Sequence, residues 1–222
     1  MNGISPIDKW QLRRLDVLAD MLGSIVNAYK ESSLENAETG CAPIVSRLEE
    51  FQKFRRKVHE GKLNADEGTT SEWTSLLENA ETDLIRSMYA CIGNTAIEIL
   101  HKACREEGKK WGKLAIKSKG KDYNDARNAL LALNDYLIDG KPDDDNIEII
   151  SSAPQQVTYI SHHCDFIDRF GQSQELAWAL CSSRQAWKDG FFGAFNGVAH
   201  QNITSKCNGD DCCMRVITLT GE

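Results

Sequence analysis

The chain has 222 residues, of which 41% are apolar and 27% are charged, enough to bury a sizeable core beneath an ordinary charged surface. The formal net charge of −7 argues against a general nucleic-acid binder, and no apolar run approaches the ~18 residues of a membrane-spanning helix. The first residues lack a signal-peptide pattern, so we expect a cytoplasmic protein whose eight cysteines are thiols or ligands rather than disulfides.

Two apolar stripes predict two helices near the start of the chain. The first stripe is Leu15, Leu18, Leu22, Ile25 and Tyr29, and the second is Ile44, Leu48, Phe51, Phe54 and Val58. A longer helix is predicted over 75–105, with Gly93 in its interior, and a shorter one over 124–137.

The pattern changes after the acidic residues 143–145. Short β-branched runs predict strands at 147–150 and 157–160, and a helix returns over 173–192. Two further strands, 198–206 and 212–219, are joined at Asn208-Gly209, a strong signal for a two-residue hairpin turn. The predicted class is α+β, with a helical N-terminal half followed by an antiparallel sheet, a C-terminal hairpin and a packed helix. We expect a helical extension over 1–79 and an α+β domain over 80–222.

Basic residues are concentrated between His101 and residue 121. The eight cations of this stretch are Lys102, Arg105, Lys109, Lys110, Lys113, Lys117, Lys119 and Lys121. One interpretation is a solvated helix face. The other is a cationic rim that attracts a small molecule bearing a carboxylate.

Cys181 is a candidate nucleophile. Arg184 and Lys188 follow it at i+3 and i+7, so the three share one face of the predicted helix. Two cations beside a thiol favour the thiolate, which is the reactive form. The alternative is a half-buried thiol beside the aliphatic stems of two surface cations.

Two further groups of residues could contribute ligands or proton carriers. His162 shares a strand face with Cys164 by alternation. Around a two-residue turn, Cys207 would face Asp210 and lie on the same side as Cys212, with Cys213 on the opposite side. A slip of one residue would exchange those sides, so the thiol that enters a site stays open.

These cysteine motifs resemble the L-2-amino-thiazoline-4-carboxylic acid hydrolase family. The resemblance covers about 80–218 and is carried by Cys164-Asp165-Phe166, Leu180-Cys181 and Gly209-Asp210-Asp211-Cys212-Cys213, with Gly108, Lys109 and Gly112 matching a glycine-containing step after a long helix. The chain departs from the family at Asp165, which replaces a proline, at Ser183-Arg184, where an acidic residue often follows, and in the extra thiols Cys207 and Cys212.

The resemblance implies a hydrolase that opens a C–N bond of a cyclic amidine or of a sulfur-containing amino acid derivative. Cys181 or Cys213 would be the nucleophile and His162 or Asp210 would carry protons. Arg184 would hold the substrate carboxylate, with Lys188, Trp187 and Phe191 completing the binding site.

A metal-dependent version of the site is also implied. Cys181, Cys207 and Cys213 would then hold zinc, with water as the fourth ligand. The motifs also resemble 4-vinyl-reductase-type small-molecule-binding domains, which implies a non-catalytic sensor with a structural zinc. A second copy of the chain is a candidate partner in either case.

Overall fold

The computed structural model describes residues 6–32, 37–63, 66–119, 125–136, 147–171 and 173–220. Within these ranges the chain forms seven α-helices, one short 3₁₀ helix and four strands. The helices are α1 (Pro6–Glu31), α2 (Ala37–His59), α3 (Glu67–Ile92), α4 (Thr95–Lys119), α5 (Ala126–Asn134), α6 (Asp165–Phe170) and α7 (Gln174–Phe192). The strands are β1 (Ile147–Ser152), β2 (Gln156–Ser161), β3 (Val198–Asn202) and β4 (Cys213–Leu219). The α+β class is thereby confirmed.

The chain divides into two units, Met1–Ile99 and Leu100–Glu222. The boundary expected from the sequence, between residues 79 and 80, falls inside α3. In the described ranges no helix has both the length and the apolar content that crossing a membrane requires.

The first unit is built from α1, α2 and α3, whose apolar faces pack on one another. Every residue of the first predicted stripe is buried, and in the second stripe all but Leu48 are buried. Trp73 of α3 stacks on Phe54 of α2, with ring centroids 5.2 Å apart. Asp66 starts α3 by accepting the Thr69 backbone N–H, as N-cap residues do.

The prediction of one helix over 75–105 is wrong, because the helix is interrupted at Gly93. α3 ends at Ile92, where Gly93 takes a φ of +54° and donates its N–H to the Tyr89 carbonyl. That φ lies in the region that only glycine adopts without strain. α4 then begins at Thr95.

The second unit contains a four-stranded antiparallel sheet in the order β1-β2-β4-β3. The strands expected at 147–150 and 157–160 and the helix expected over 173–192 are confirmed. α5 lies within the helix expected over 124–137, whose two end residues fall outside the described ones.

The prediction of a two-residue turn at Asn208-Gly209 is wrong. β3 already ends at Asn202, and a 3₁₀ helix, Lys206–Asn208, ends at Gly209 with a φ of +94°. Polar side chains hold this longer loop, since the Asp210 carboxylate accepts the Ser205 N–H at 2.8 Å. The expected alternation fails as a result: Cys207 and Cys213 are both buried, and Cys212 is partly exposed.

Within the second unit, which contains α4 from Leu100 onward, α4 and α7 approach closely at three glycines. A Cβ atom on Gly190 would lie 2.0 Å from the Arg105 carbonyl oxygen, and one on Gly108 would lie 2.0 Å from the Trp187 carbonyl oxygen. Gly112 is similarly close to Phe191. Gly108 and Gly112, expected at a step after a long helix, therefore lie inside α4, where they allow backbone contact with α7.

Candidate active site at Cys181

A cavity of about 180 Å³ opens beside Cys181 in the second unit. Its walls come from α4, α7, the end of β3 and the loop that follows β3. The lining residues are His101, Arg105, Trp178, Cys181, Ser182, Gln185, Ala186, Asp189, Asn202, Ser205 and Asn208. Polar and ionisable groups from two helices and a loop thus converge on one small volume.

Among the residues that line this cavity, Cys181 is the cysteine. Its side chain is 8% exposed, and its Sγ lies 3.4 Å from Ser205 Oγ. A hydrogen bond from the Cys207 thiol, supported by Ser205 and by the positive charges of Lys188 and Arg215, lowers the pKa of Cys181 to about 6 against the opposing effect of burial. A thiol with this pKa is mostly thiolate at neutral pH.

Two further thiols, Cys164 and Cys207, lie near Cys181 and outside the described lining of the cavity. Cys164, the residue before α6, has its Sγ 3.6 Å from the Sγ of Cys207. Hydrogen bonding from Cys207 lowers the pKa of Cys164 to about 7. The pKa of Cys207 itself is raised, because its proton is shared with the sulfurs of Cys164 and Cys181. Cys207 has one proton, so it can donate to only one of these two sulfurs at a time.

His101 and Arg105 line the cavity from α4. They lie four residues apart, on one face of the helix. Burial, together with the charge of Arg105, lowers the pKa of His101, so its imidazole is neutral at pH 7. Its Nε2 is buried and has no hydrogen-bond partner among the described residues. A neutral imidazole can accept a proton at its unprotonated ring nitrogen.

A chain of polar contacts supports the opposite wall. Gln185 Nε2 donates to Asp189 Oδ1 at 2.7 Å and lies 2.9 Å from His200 Nδ1. The other nitrogen of His200 is 3.3 Å from the Tyr159 hydroxyl. Burial lowers the pKa of His200. This chain fixes Gln185 and Asp189 against the sheet.

The residues expected to bind substrate lie in the interior. Arg184 and Lys188 are only 2% and 5% exposed, and Trp187 and Phe191 stack with ring centroids 5.2 Å apart. None of the four lines the cavity beside Cys181. Lys188 does act on the site through its charge, which helps to lower the pKa of Cys181.

The expected proton carriers and the second nucleophile also lie away from the cavity lining. His162 is exposed, with Nε2 3.2 Å from the Glu148 carboxylate. Asp210 holds the loop through Ser205, and the Cys213 sulfur accepts the Lys206 N–H at 3.4 Å. Of the expected catalytic residues, the structure brings only Cys181 into the cavity.

Sequence reasoning missed His101, Asp189 and the asparagines of the cavity. Arg105 was part of the basic stretch that the sequence offered as a cationic rim, and His101 precedes it by one helical turn. That i, i+4 spacing was the available signal. Nothing in the sequence indicated that α4 would face Cys181.

Ligand geometry bears on the expected zinc site. Within the ranges the structure describes, the group of three ligand atoms lying within 4.8 Å of one another is His163, Asp165 and Asp168, all exposed. Cys181, Cys207 and Cys213 do not form such a group. Zinc binding by these thiols stays a prediction.

Comparison of the chain with protein-family models, with curated proteins and with solved structures finds no match. Function is therefore inferred from the chemistry of the cavity and from the cysteine motifs.

Proposed function

We propose that the protein is a cysteine hydrolase that opens a C–N bond of a small cyclic amidine or of a sulfur-containing amino acid derivative. The observation that carries the proposal is that Cys181, His101 and Arg105 line one cavity. The motif resemblance to L-2-amino-thiazoline-4-carboxylic acid hydrolases suggests the substrate class. In the reducing cytoplasm, the compartment we propose, the thiol stays reduced.

The size of the cavity supports a small substrate. Its volume of about 180 Å³ corresponds to about six waters at ~30 Å³ each. Drug-sized ligands and large cofactors occupy cavities of roughly 300–1,000 Å³. A single substituted five- or six-membered ring is the scale of ligand that fits.

Cys181 would begin the reaction as the nucleophile. Its thiolate attacks the amidinium carbon, a C–S bond forms, and the C=N electron pair moves onto nitrogen, which neutralises the amidinium charge. The thiolate needs no separate base to deprotonate it, because its pKa is already lowered to about 6.

His101 would carry the protons of the later steps. Neutral at pH 7, it takes a proton from the nitrogen that stays and passes it to the nitrogen that leaves, so one C–N bond breaks and a thioimidate remains. His101 then accepts a proton from the water that attacks this carbon. The C–S bond breaks, the Cys181 thiolate returns, and His101 gives its proton to the released amine, so the products are an amide and an ammonium group.

Arg105 would hold the substrate carboxylate. It is the cation of the α4 basic stretch that lines the cavity. A guanidinium binds a carboxylate through two parallel hydrogen bonds, which fixes position as well as charge. Arg105 thereby takes the role that the family resemblance implied for Arg184, whose side chain is buried.

The test is turnover of cyclic amidines, with and without a carboxylate, starting from L-2-amino-thiazoline-4-carboxylate. We expect ring opening by the wild-type protein, none by Cys181→Ser, and full activity in Cys91→Ser, which removes an exposed thiol of the first unit. Loss of turnover in Cys213→Ser alone would move the nucleophile to Cys213. One zinc per chain, with thiols that titrate only after chelation, would contradict a free cysteine nucleophile and favour the zinc-containing binding module.

A further inference from the structure

Cys207 lies beside two other thiols. Its sulfur is 3.6 Å from that of Cys164 and 3.6 Å from the carbonyl oxygen of Ala177, which is one helical turn before Cys181 on α7. Hydrogen bonding with Cys164 and Cys181 raises the pKa of Cys207. The three residues come from separate elements: the N-cap position of α6, the third turn of α7 and the 3₁₀ helix. Thiols so distant in sequence that touch in the fold can exchange disulfide partners without large chain movement.

The three thiols differ in whether they line the cavity. Cys181 lines it and is 8% exposed, whereas Cys164, 9% exposed, and Cys207 are not among its described lining residues. Cys207 is fully enclosed and also contacts the Ala177 carbonyl, 3.6 Å from its sulfur. A small oxidant that enters the cavity therefore meets Cys181 first.

We propose that Cys181, Cys207 and Cys164 form a reversible oxidation site for peroxide, in which Cys207 resolves oxidised Cys181 and Cys164 takes over the disulfide. This modification goes beyond hydrolysis and is detectable without a hydrolysis substrate. Its product is a Cys164–Cys207 disulfide with a free Cys181 thiol.

The oxidation balances in three steps. The Cys181 thiolate attacks hydrogen peroxide, the O–O bond breaks, and a sulfenic acid and hydroxide form. The Cys207 thiol displaces hydroxyl from that sulfur, which gives a Cys181–Cys207 disulfide and water. The Cys164 thiolate then attacks the Cys207 sulfur and releases the Cys181 thiolate. Two thiols lose two electrons in total, and these reduce one peroxide.

The arrangement of the sulfurs favours exchange over a closed metal site. Four-coordinate zinc with Zn–S bonds of about 2.3 Å holds its sulfurs around one point, all mutually close. Cys207 instead lies between the other two thiols, and the three do not form a group whose ligand atoms are all within 4.8 Å in the part of the chain that the structure describes. A sulfur in that middle position can bond to either neighbour.

The experiment is oxidation of the native full-length protein with one equivalent of hydrogen peroxide, followed by alkylation and non-reducing peptide mapping. Cleavage after Lys206 and Arg215 leaves Cys207, Cys212 and Cys213 on one peptide, so fragment spectra must assign the bonded sulfur. We expect a Cys164–Cys207 disulfide and an alkylated Cys181. The same disulfide should form in Cys91→Ser, which removes an unrelated exposed thiol.

Two variants separate the steps. Cys164→Ser should stop at a Cys181–Cys207 disulfide. Each oxidation of sulfur consumes one peroxide, so Cys207→Ser and wild type are also compared with two equivalents, where Cys181 of Cys207→Ser should advance to the sulfinic acid. Far-UV circular dichroism shows whether each variant is folded. A wild-type product that stays Cys181–Cys207 would overturn the transfer to Cys164. Sulfinic acid at Cys181 to the same extent in wild type and Cys207→Ser, or no disulfide among the three, would overturn the whole proposal.

Discussion

Gly190 of α7 lies directly against the Arg105 carbonyl oxygen of α4, where a Cβ atom would come within 2.0 Å. Because the two backbones touch here, the side chains of His101 and Arg105 reach the cavity that Cys181 lines from the other helix. Because Gly190 has no side chain, α4 and α7 can approach closely enough to bring the residues of the candidate site together.

Gly190→Ala should destabilise the protein. The added methyl meets backbone rather than a flexible side chain, and overpacking of this kind costs about 1–3 kcal/mol. Gly23→Ala is the matched control, since nothing lies within 4 Å of a Cβ there and alanine favours a helix interior by about 0.5–1 kcal/mol. The urea concentration at the midpoint of unfolding should be lower for Gly190→Ala than for wild type, and higher for Gly23→Ala. An unchanged midpoint for Gly190→Ala would contradict the close crossing.

Cys207→Ala should raise the pH at which Cys181 becomes reactive. The hydrogen bond from Cys207 is the largest cause of the lowered Cys181 pKa, so its loss raises that pKa from about 6. Cys207→Ser keeps a hydroxyl donor and should shift the pH dependence of Cys181 reactivity less than Cys207→Ala does. The measurement is the iodoacetamide rate at Cys181 from pH 5 to 9, which rises as the thiolate forms. Coincident profiles for both variants and wild type would remove Cys207 from this role.

Arg105→Ala should raise KM for a carboxylate-bearing substrate roughly tenfold to a hundredfold, because hydrogen bonds to charged groups contribute about 1.5–3 kcal/mol. A substrate analogue without the carboxylate should show little change. Lys109→Ala, exposed one turn further along α4 and outside the cavity lining, is the control. Equal KM values for wild type and Arg105→Ala would show that the carboxylate binds elsewhere.

His101→Gln should lower kcat by about 10²- to 10⁴-fold, the range typical of a general acid–base group, and change KM much less. The wild-type rate should fall at acid pH, since protonated His101 no longer accepts a proton and its pKa lies below the ordinary 6.5. His59→Gln, an exposed histidine of the first unit, should behave as wild type. A kcat for His101→Gln within twofold of wild type would exclude proton transfer by this residue.

Most of the fold followed from periodicity. The stripe that ends at Tyr29 and the helix over 173–192 were identified correctly, because burial of one apolar face dictates the spacing of its residues. The break at Gly93 was missed, since a glycine in a helix interior and a glycine at a helix end give the same local pattern. The loop after Asn202 was missed because side-chain contacts from Asp210 replaced the expected tight turn.

The candidate site was harder to predict than the fold. Cys181 was identified from its neighbouring cations, and the charge of Lys188 does act on it. Helical spacing places Arg184 near Cys181 but does not show that its side chain is buried. Arg105 and Cys181 lie 76 residues apart in the sequence, and they share a cavity only through the contact of α4 with α7 at glycine.

The reactivity of the native thiols, resolved residue by residue, tests the central claim most directly. Limiting iodoacetamide at pH 7, followed by peptide mapping, should label Cys181 before exposed Cys91, although Cys181 is only 8% exposed. A cyclic amidine carboxylate in the cavity should slow that labelling selectively. Labelling of Cys91 first, with Cys181 modified only after unfolding, would contradict a thiolate nucleophile in this cavity.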